Sequence, residues 1–265
     1  MKSNFSLMLI LLIAVSIPSC QKQTPLQSAS ANDAMLQSVT DASSMDSRTA
    51  SVQRPHINPS DFVDVVDNPY FPLIPGTTQY YTQLEKSGGK IERKDVQIDV
   101  TSDTKEILGV TCVVVHDVVK TKGQITEDTY DWYAQDKRGN VWYMGENTKK
   151  LIDGNWITTG SWEGGVNGAV PGIIMLGNPE KHIGQIYPQE YLKDSAEDKA
   201  KVISVNSTTS IQLGTFSNCV VTEETTPLDP GVIENKYYAK GIGNISTILN
   251  VGGAEHEELI KVVHN

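Results

Sequence analysis

The chain of 265 residues carries 22 basic and 32 acidic side chains, a formal net charge of −10 at neutral pH, with 38% apolar and 7% aromatic residues, 21 Gly, 12 Pro and 3 Cys. That composition excludes collagen-like, coiled-coil, disulfide-dense and polytopic membrane classes and leaves a globular domain with an attachment. The acidic excess repels phosphate backbones and anionic headgroups, so no nucleic-acid partner is expected.

The attachment is at the N-terminus. Lys2 precedes an apolar run from Phe5 to Ile17, too short for the roughly 20 residues that span a bilayer and of the length of an export-signal core. The ending Ile17-Pro18-Ser19-Cys20 resembles a bacterial lipobox. The resemblance implies cleavage after residue 19 and acylation of Cys20, a palmitate-bearing anchor that makes the membrane a partner through lipid alone. Gln21 in place of Asp resembles lipoproteins sent on to the outer membrane of the cell envelope. Residues 20–55, rich in Ser, Thr, Ala and Gln and without an aromatic, cannot bury enough apolar surface to offset their ordering entropy and are expected to form a disordered tether. Residues 56–265 are expected to form one domain.

At the start of that domain Ser60 is a candidate cap for one short helix, with Asp61 in its first turn, Phe62, Val63 and Val66 on one side, and Asn68-Pro69 as its stop. Strand signals follow. Gln79 to Glu85 and Lys90 to Val100 flank Ser87-Gly88-Gly89; Leu151-Ile152 and Trp156 to Thr159 flank Asp153-Gly154-Asn155; Ile242 to Val251 and Glu257 to Val263 flank Gly252-Gly253. Each reads as a hairpin. With no helical crossovers, the expectation is an all-β, antiparallel meander forming a half-barrel, barrel or sandwich.

An internal repeat runs through it. Cys112-Val113-Val114-Val115 leads to Trp132-Tyr133-Ala134 and Gly139-Asn140-Val141; Cys219-Val220-Val221-Thr222 leads to Tyr237-Tyr238-Ala239 and Gly243-Asn244-Ile245. The matching order predicts two related four-strand units, about 91–145 and 202–250. Between them lies a Gly-rich stretch from Gly160 to Gly184 containing Ile173-Ile174-Met175-Leu176. Four consecutive apolar residues cannot all face inward on a half-buried strand, so this run is expected to pack over the domain as a lid, with Met175 or Leu176 on a cavity, or as a fixed core plug.

The opening Asn68-Pro69-Tyr70-Phe71-Pro72-Leu73-Ile74-Pro75-Gly76 with Tyr80-Tyr81, the segment Tyr130-Asp131-Trp132-Tyr133-Ala134 with Gly139-Asn140-Val141-Trp142-Tyr143, and Tyr237-Tyr238-Ala239 with Gly241-Ile242-Gly243 together resemble a family of uncharacterised bacterial envelope lipoproteins. The resemblance brings no activity with it.

His56, His116, His182, His256 and His264 form no H-E-x-x-H motif, and no G-x-S-x-G occurs, so neither a metal nor a cofactor is expected. His256, Glu257, Glu258 and His264 read as the polar edge of a terminal strand. Period-two alternation puts Asp128, Tyr130 and Trp132 on one face of their strand and Glu127, Asp131 and Tyr133 on the other. Cys112 and Cys219, the thiols left once Cys20 is acylated, form a candidate disulfide in an oxidising envelope. Tyr130, Trp132, Tyr133, Met175 and Leu176 are the candidate ligand-binding residues. The resulting expectation is a non-enzymatic binding or assembly lipoprotein with an apolar small molecule or an envelope protein as partner. The alternative is an envelope hydrolase using carboxylates around Asp131 and Asp136.

Overall fold

A computed structural model describes residues 56–264, apart from Gly88 and the side chain of Ser87; the signal peptide, Cys20 and the tether lie outside the described residues. The expected N-terminal helix is only a single 3-10 turn, Pro59–Asp61. Asn58 rather than Ser60 caps it, its Oδ1 accepting from the Ser60 N–H at 3.2 Å. Phe62 and Val63, an aromatic and a β-branched residue suited to extended backbone, leave the turn as strand β1 (Phe62–Val63), which pairs with Asp136 and Gln135.

The meander proper follows: β2 (Thr77–Ser87), β3 (Lys90–Ile107), β4 (Val110–Thr121), β5 (Gln124–Asp136) and β6 (Val141–Ile152), each antiparallel to the next. Two-residue turns at Leu108-Gly109, Lys122-Gly123 and Asp153-Gly154 have positive φ at both positions, the geometry whose twist matches that of the flanking strands. The last of them connects β6 to β7 (Asn155–Ile157). The Gly-rich stretch contributes β8 (Trp162–Glu163) and β9 (Val170–Met175), both on β6. Beyond β10 (Ile186–Pro188) and β11 (Glu190–Tyr191) a second meander runs through β12 (Lys199–Ile211), β13 (Gly214–Thr225), β14 (Ile233–Ala239), β15 (Gly243–Val251) and β16 (Glu255–His264).

The two meanders are one sheet because β16 pairs along its length with β2, from Glu255 opposite Glu85 to His264 opposite Thr77. The free edges are then β9 and β12, and a single bent segment lies between them. Its first half, β10, pairs with β12; its second half, β11, pairs with β9. The result is an all-β antiparallel sheet curled into a nearly closed barrel. At this seam a Cβ on Gly172 would lie 2.5 Å from the carbonyl carbon of Gln189 and 2.6 Å from the Pro188 oxygen, so only glycine permits β11 to lie on β9.

Residues 91–145 and 202–250 have the same strand order. Val113 pairs with Tyr133 as Val220 pairs with Tyr238, and a register shift falls between Trp132 and Tyr133 as it does between Tyr237 and Tyr238. Ile173 to Leu176 is fixed core, as the plug alternative has it: Ile173 and Met175 pair with β6, and Ile174, Met175 and Leu176 are buried. The run is apolar throughout because both of its faces are covered. Ile174 joins the inner cluster with Tyr133, Tyr143 and Tyr238, and Ile173 packs also against an outer cluster containing Trp132, Trp142 and Met144.

Candidate functional site

Curling the sheet gives each strand an inner and an outer face. On β5 the inner face carries Glu127, Thr129, Asp131 and Tyr133, all of which line a cavity of about 110 Å³ inside the barrel. The outer face carries Asp128, Tyr130 and Trp132. There Tyr130 stacks on His116 with ring centroids 4.3 Å apart, His116 Nε2 is 2.8 Å from Asp128, and Lys105 Nζ is 3.6 Å from the centroid of the Trp132 ring. The five candidate ligand-binding residues are therefore not brought together. Tyr133 lines the cavity; Tyr130 and Trp132 face away from it; Met175 and Leu176 are buried beside Ile174, the residue of that run that does reach the cavity.

The cavity wall is of two kinds. β3 contributes only carbon, through Val96, Ile98 and Val100, and Val115 of β4 continues it. The segment Phe71-Pro72-Leu73 adds a further apolar piece across the interior. It is held at both sides, by Gly76 N–H donating to Val100 O at 2.8 Å and Gly241 N–H to Pro69 O at 2.7 Å. Buried Asn68 anchors its base, donating to Gly139 O at 2.7 Å and Leu176 O at 3.1 Å. The aromatic-Pro-Leu opening thus covers the cavity, in the position expected of the Ile173–Leu176 run.

The rest of the wall is acidic. Asp117 of β4, Glu127 and Asp131 of β5, Glu146 of β6, Glu234 of β14, and Glu255 and Glu257 of β16 line the cavity, with Lys236 of β14 the one lysine among the lining residues. Lys236 is engaged already, with Nζ 2.8 Å from Glu224 and 3.7 Å from Glu234. Burial opposes its charge, but those two carboxylates more than offset this and hold the ammonium well above its ordinary pKa. Burial moves the acids the other way. Asp131 is pushed up to about 7 although the Tyr143 hydroxyl donates to it at 2.6 Å. Glu255 and Glu257 also rise to about 7 and Glu234 to about 8, each mainly through burial. Asp117 and Glu146 are raised for the same reason, reinforced by the neighbouring carboxylates.

Partnering separates these acids. Asp131 accepts from Tyr143, Glu255 from Gln83, and Glu127 pairs with Lys150 at 3.2 Å. Among the described residues, the side chains of Asp117 and Glu257 make no hydrogen bond or ion pair, and Oδ1 of Asp117 is out of contact with solvent. Glu257 is only 8% exposed. The two line the same cavity as Tyr81 of β2.

Asp136, the second carboxylate of the hydrolase expectation, is not part of this group. Its oxygens cap the β5–β6 turn, accepting from the backbone N–H groups of Arg138 at 2.8 Å and Asn140 at 3.0 Å, from Asn140 Nδ2 at 2.8 Å and from Trp142 Nε1 at 3.1 Å. Burial opposes its charge, but these donors hold it below the ordinary range. An odd separation from Asp131 puts it on the opposite face. The candidate disulfide is not formed either. Cys112 packs with Trp132 and Met144, Cys219 with Ala239, Ile245 and Leu259, in different clusters, and both thiols are free. Burial pushes the Cys112 thiol up to about 12 and raises Cys219 also, so neither is primed as a thiolate.

The fold and site define a nearly closed antiparallel β-barrel with a partly acidic interior. No protein-family model and no curated protein matches the chain. Two solved structures resemble it. One is a Bacteroides fragilis protein described as exported and as having a YmcC-like fold, 12% identical, covering 73% of this chain and 98% of its own, with a TM-score of 0.44. The other is a Parabacteroides distasonis protein described as a lipoprotein, 11% identical, covering 74% and 99%, with a TM-score of 0.36. Likenesses this distant transfer no function.

Proposed function

We propose that the protein is a lipid-anchored cell-envelope lipoprotein, exported to the outer membrane, that acts by binding: its barrel interior holds a small ligand. The lipobox-like ending at Cys20 supports the anchor. The observation that carries the binding reading is the cavity of about 110 Å³ inside the barrel, well above the roughly 10–15 Å³ that one water needs, with the buried Oδ1 of Asp117 left unpartnered in its wall. A carbon wall on one strand and polar groups converging from others is the composition of a ligand pocket. The test is native mass spectrometry of the protein purified from its own envelope. A co-purifying molecule released on unfolding is the expected result; a bare protein mass under gentle desolvation counts against it.

A second reading, a hydrolase, keeps one observation in its favour: Asp131, at about 7, lies in the range where a carboxyl serves as acid or base near neutral pH. It would have to draw its partner from the cavity wall rather than from Asp136. Hydrolysis of a chromogenic ester or glycoside that disappears in Asp131→Asn would support it.

A further inference from the structure

The interior acids are too many and too unevenly partnered for a ligand of carbon alone. A hydrocarbon filling the cavity would leave Asp117 and Glu257 dry and without a donor, and an unsatisfied buried polar group costs about 1–3 kcal/mol or more. An anion would meet seven lining carboxyl groups against one lysine, itself already paired. A bare metal ion finds no group of three or more suitable ligands among the described residues and would make no use of the Val96, Ile98 and Val100 wall. What remains is a molecule with both a positive head and a carbon body.

Resting on the reading of this cavity as a ligand site, we infer that it takes a small organic cation, an alkylammonium whose head is held by the carboxylates of Asp117 and Glu257 and whose carbon body lies on Val96, Ile98 and Val115. An ammonium supplies three N–H donors, enough to partner both carboxylates at once. Tyr81, an aromatic residue of the kind that attracts cations, lines the same cavity. The chain's negative charge raises the local concentration of cations outside the barrel.

Binding of this kind exchanges protons. Burial raises both carboxyls above their ordinary range, and a cation between them favours the ionised forms and releases protons. The groups that set this exchange at Glu257 are Glu255 on its own strand, Tyr81 and Gln83 on β2, Lys94 on β3 and Asp117 on β4. Across the interior, Glu127 and Asp131 of β5, Glu146 and Lys150 of β6, and Glu234 and Lys236 of β14 face the same space. With Asp131, Glu255 and Glu257 each at about 7, affinity for the cation rises from pH 6 to pH 8.

Isothermal titration of the purified full-length lipoprotein with hexylammonium, 1-hexanol and hexanoate holds the carbon body constant and varies the head. Hexylammonium is expected to bind at least about tenfold more tightly than hexanol at pH 8, with hexanoate weaker than either. Its heat should depend on the ionisation enthalpy of the buffer, which reports proton release. Asp117→Asn with Glu257→Gln, which keeps shape and hydrogen-bonding capacity, should lower hexylammonium affinity at least about tenfold and leave hexanol unchanged. Hexanol binding as tightly as hexylammonium, or a double variant with undiminished hexylammonium affinity, overturns the cation inference and leaves the cavity as an apolar ligand site. Absence of binding by all three, together with a bare mass from the envelope, overturns the binding reading itself.

Discussion

Glu257→Gln should make the protein more stable in alkali and leave it nearly unchanged in mild acid. In the folded barrel burial pushes this carboxyl from its ordinary 4.5 to about 7. The unfolded chain keeps the ordinary value, so between the two the folded state binds the extra proton, and the stabilisation present at low pH is lost as pH rises toward 7. At about 1.4 kcal/mol for each tenfold change in proton affinity, the penalty in wild type above pH 8 is about 3 kcal/mol. Glutamine never ionises and escapes it. For a domain of this size about 3 kcal/mol corresponds to about 6–12 °C, so thermal melts of wild type and variant should separate by that much at pH 8.5 and by less than about 3 °C at pH 5. Because Glu257 makes no hydrogen bond through its side chain, nothing is lost in exchange. A variant that melts lower than wild type at pH 8.5, or one displaced equally at both pH values, would refute the assignment of this carboxylate to the dry interior.

Three other outcomes follow from single positions. Gly172→Ala drives a Cβ into the Gln189 and Pro188 backbone at the seam and should cost about 3 kcal/mol, with faster amide exchange over Ile186 to Tyr191; an unchanged melt would mean the seam does not close as described. Asp136→Ala strips the donors of the β5–β6 turn of their acceptor and should lower stability by about 3 kcal/mol at pH 7. Since the folded state holds Asp136 below the ordinary range, its contribution is present above about pH 4 and is lost as pH falls further, so the two melting curves should converge in acid. Cys20→Ala should move the protein from washed membranes to the soluble envelope fraction with the melt of the domain unaltered; retention in membranes would point to another anchor.

The strands were legible because their signals are local. Alternation on β5 sorts Glu127, Asp131 and Tyr133 from Asp128, Tyr130 and Trp132 by period alone, and the Asp153-Gly154 turn is written in its residues, with positive φ at both. The choice among half-barrel, barrel and sandwich was not local. It depends on β16 pairing with β2 across the whole sequence, and on residues 186–191 meeting two different edges, contacts that no short window records.

The same long-range closure decides which acids are functional candidates. Glu257 reads as part of the polar edge of a last strand only while that strand is taken to be an edge; between β15 and β2 its face, which Glu255 shares, turns inward. One local sign was available. Leu259, in phase with both, is fully buried, and Val115 and Val119, in phase with Asp117, are buried too. A carboxylate that interrupts an apolar phase, rather than continuing a polar one, is a residue the fold has turned toward its interior at a cost in stability. The sequence keeps Asp117 and Glu257 there without giving either a side-chain partner, and an occupant that supplies the missing donors would recover that cost on binding.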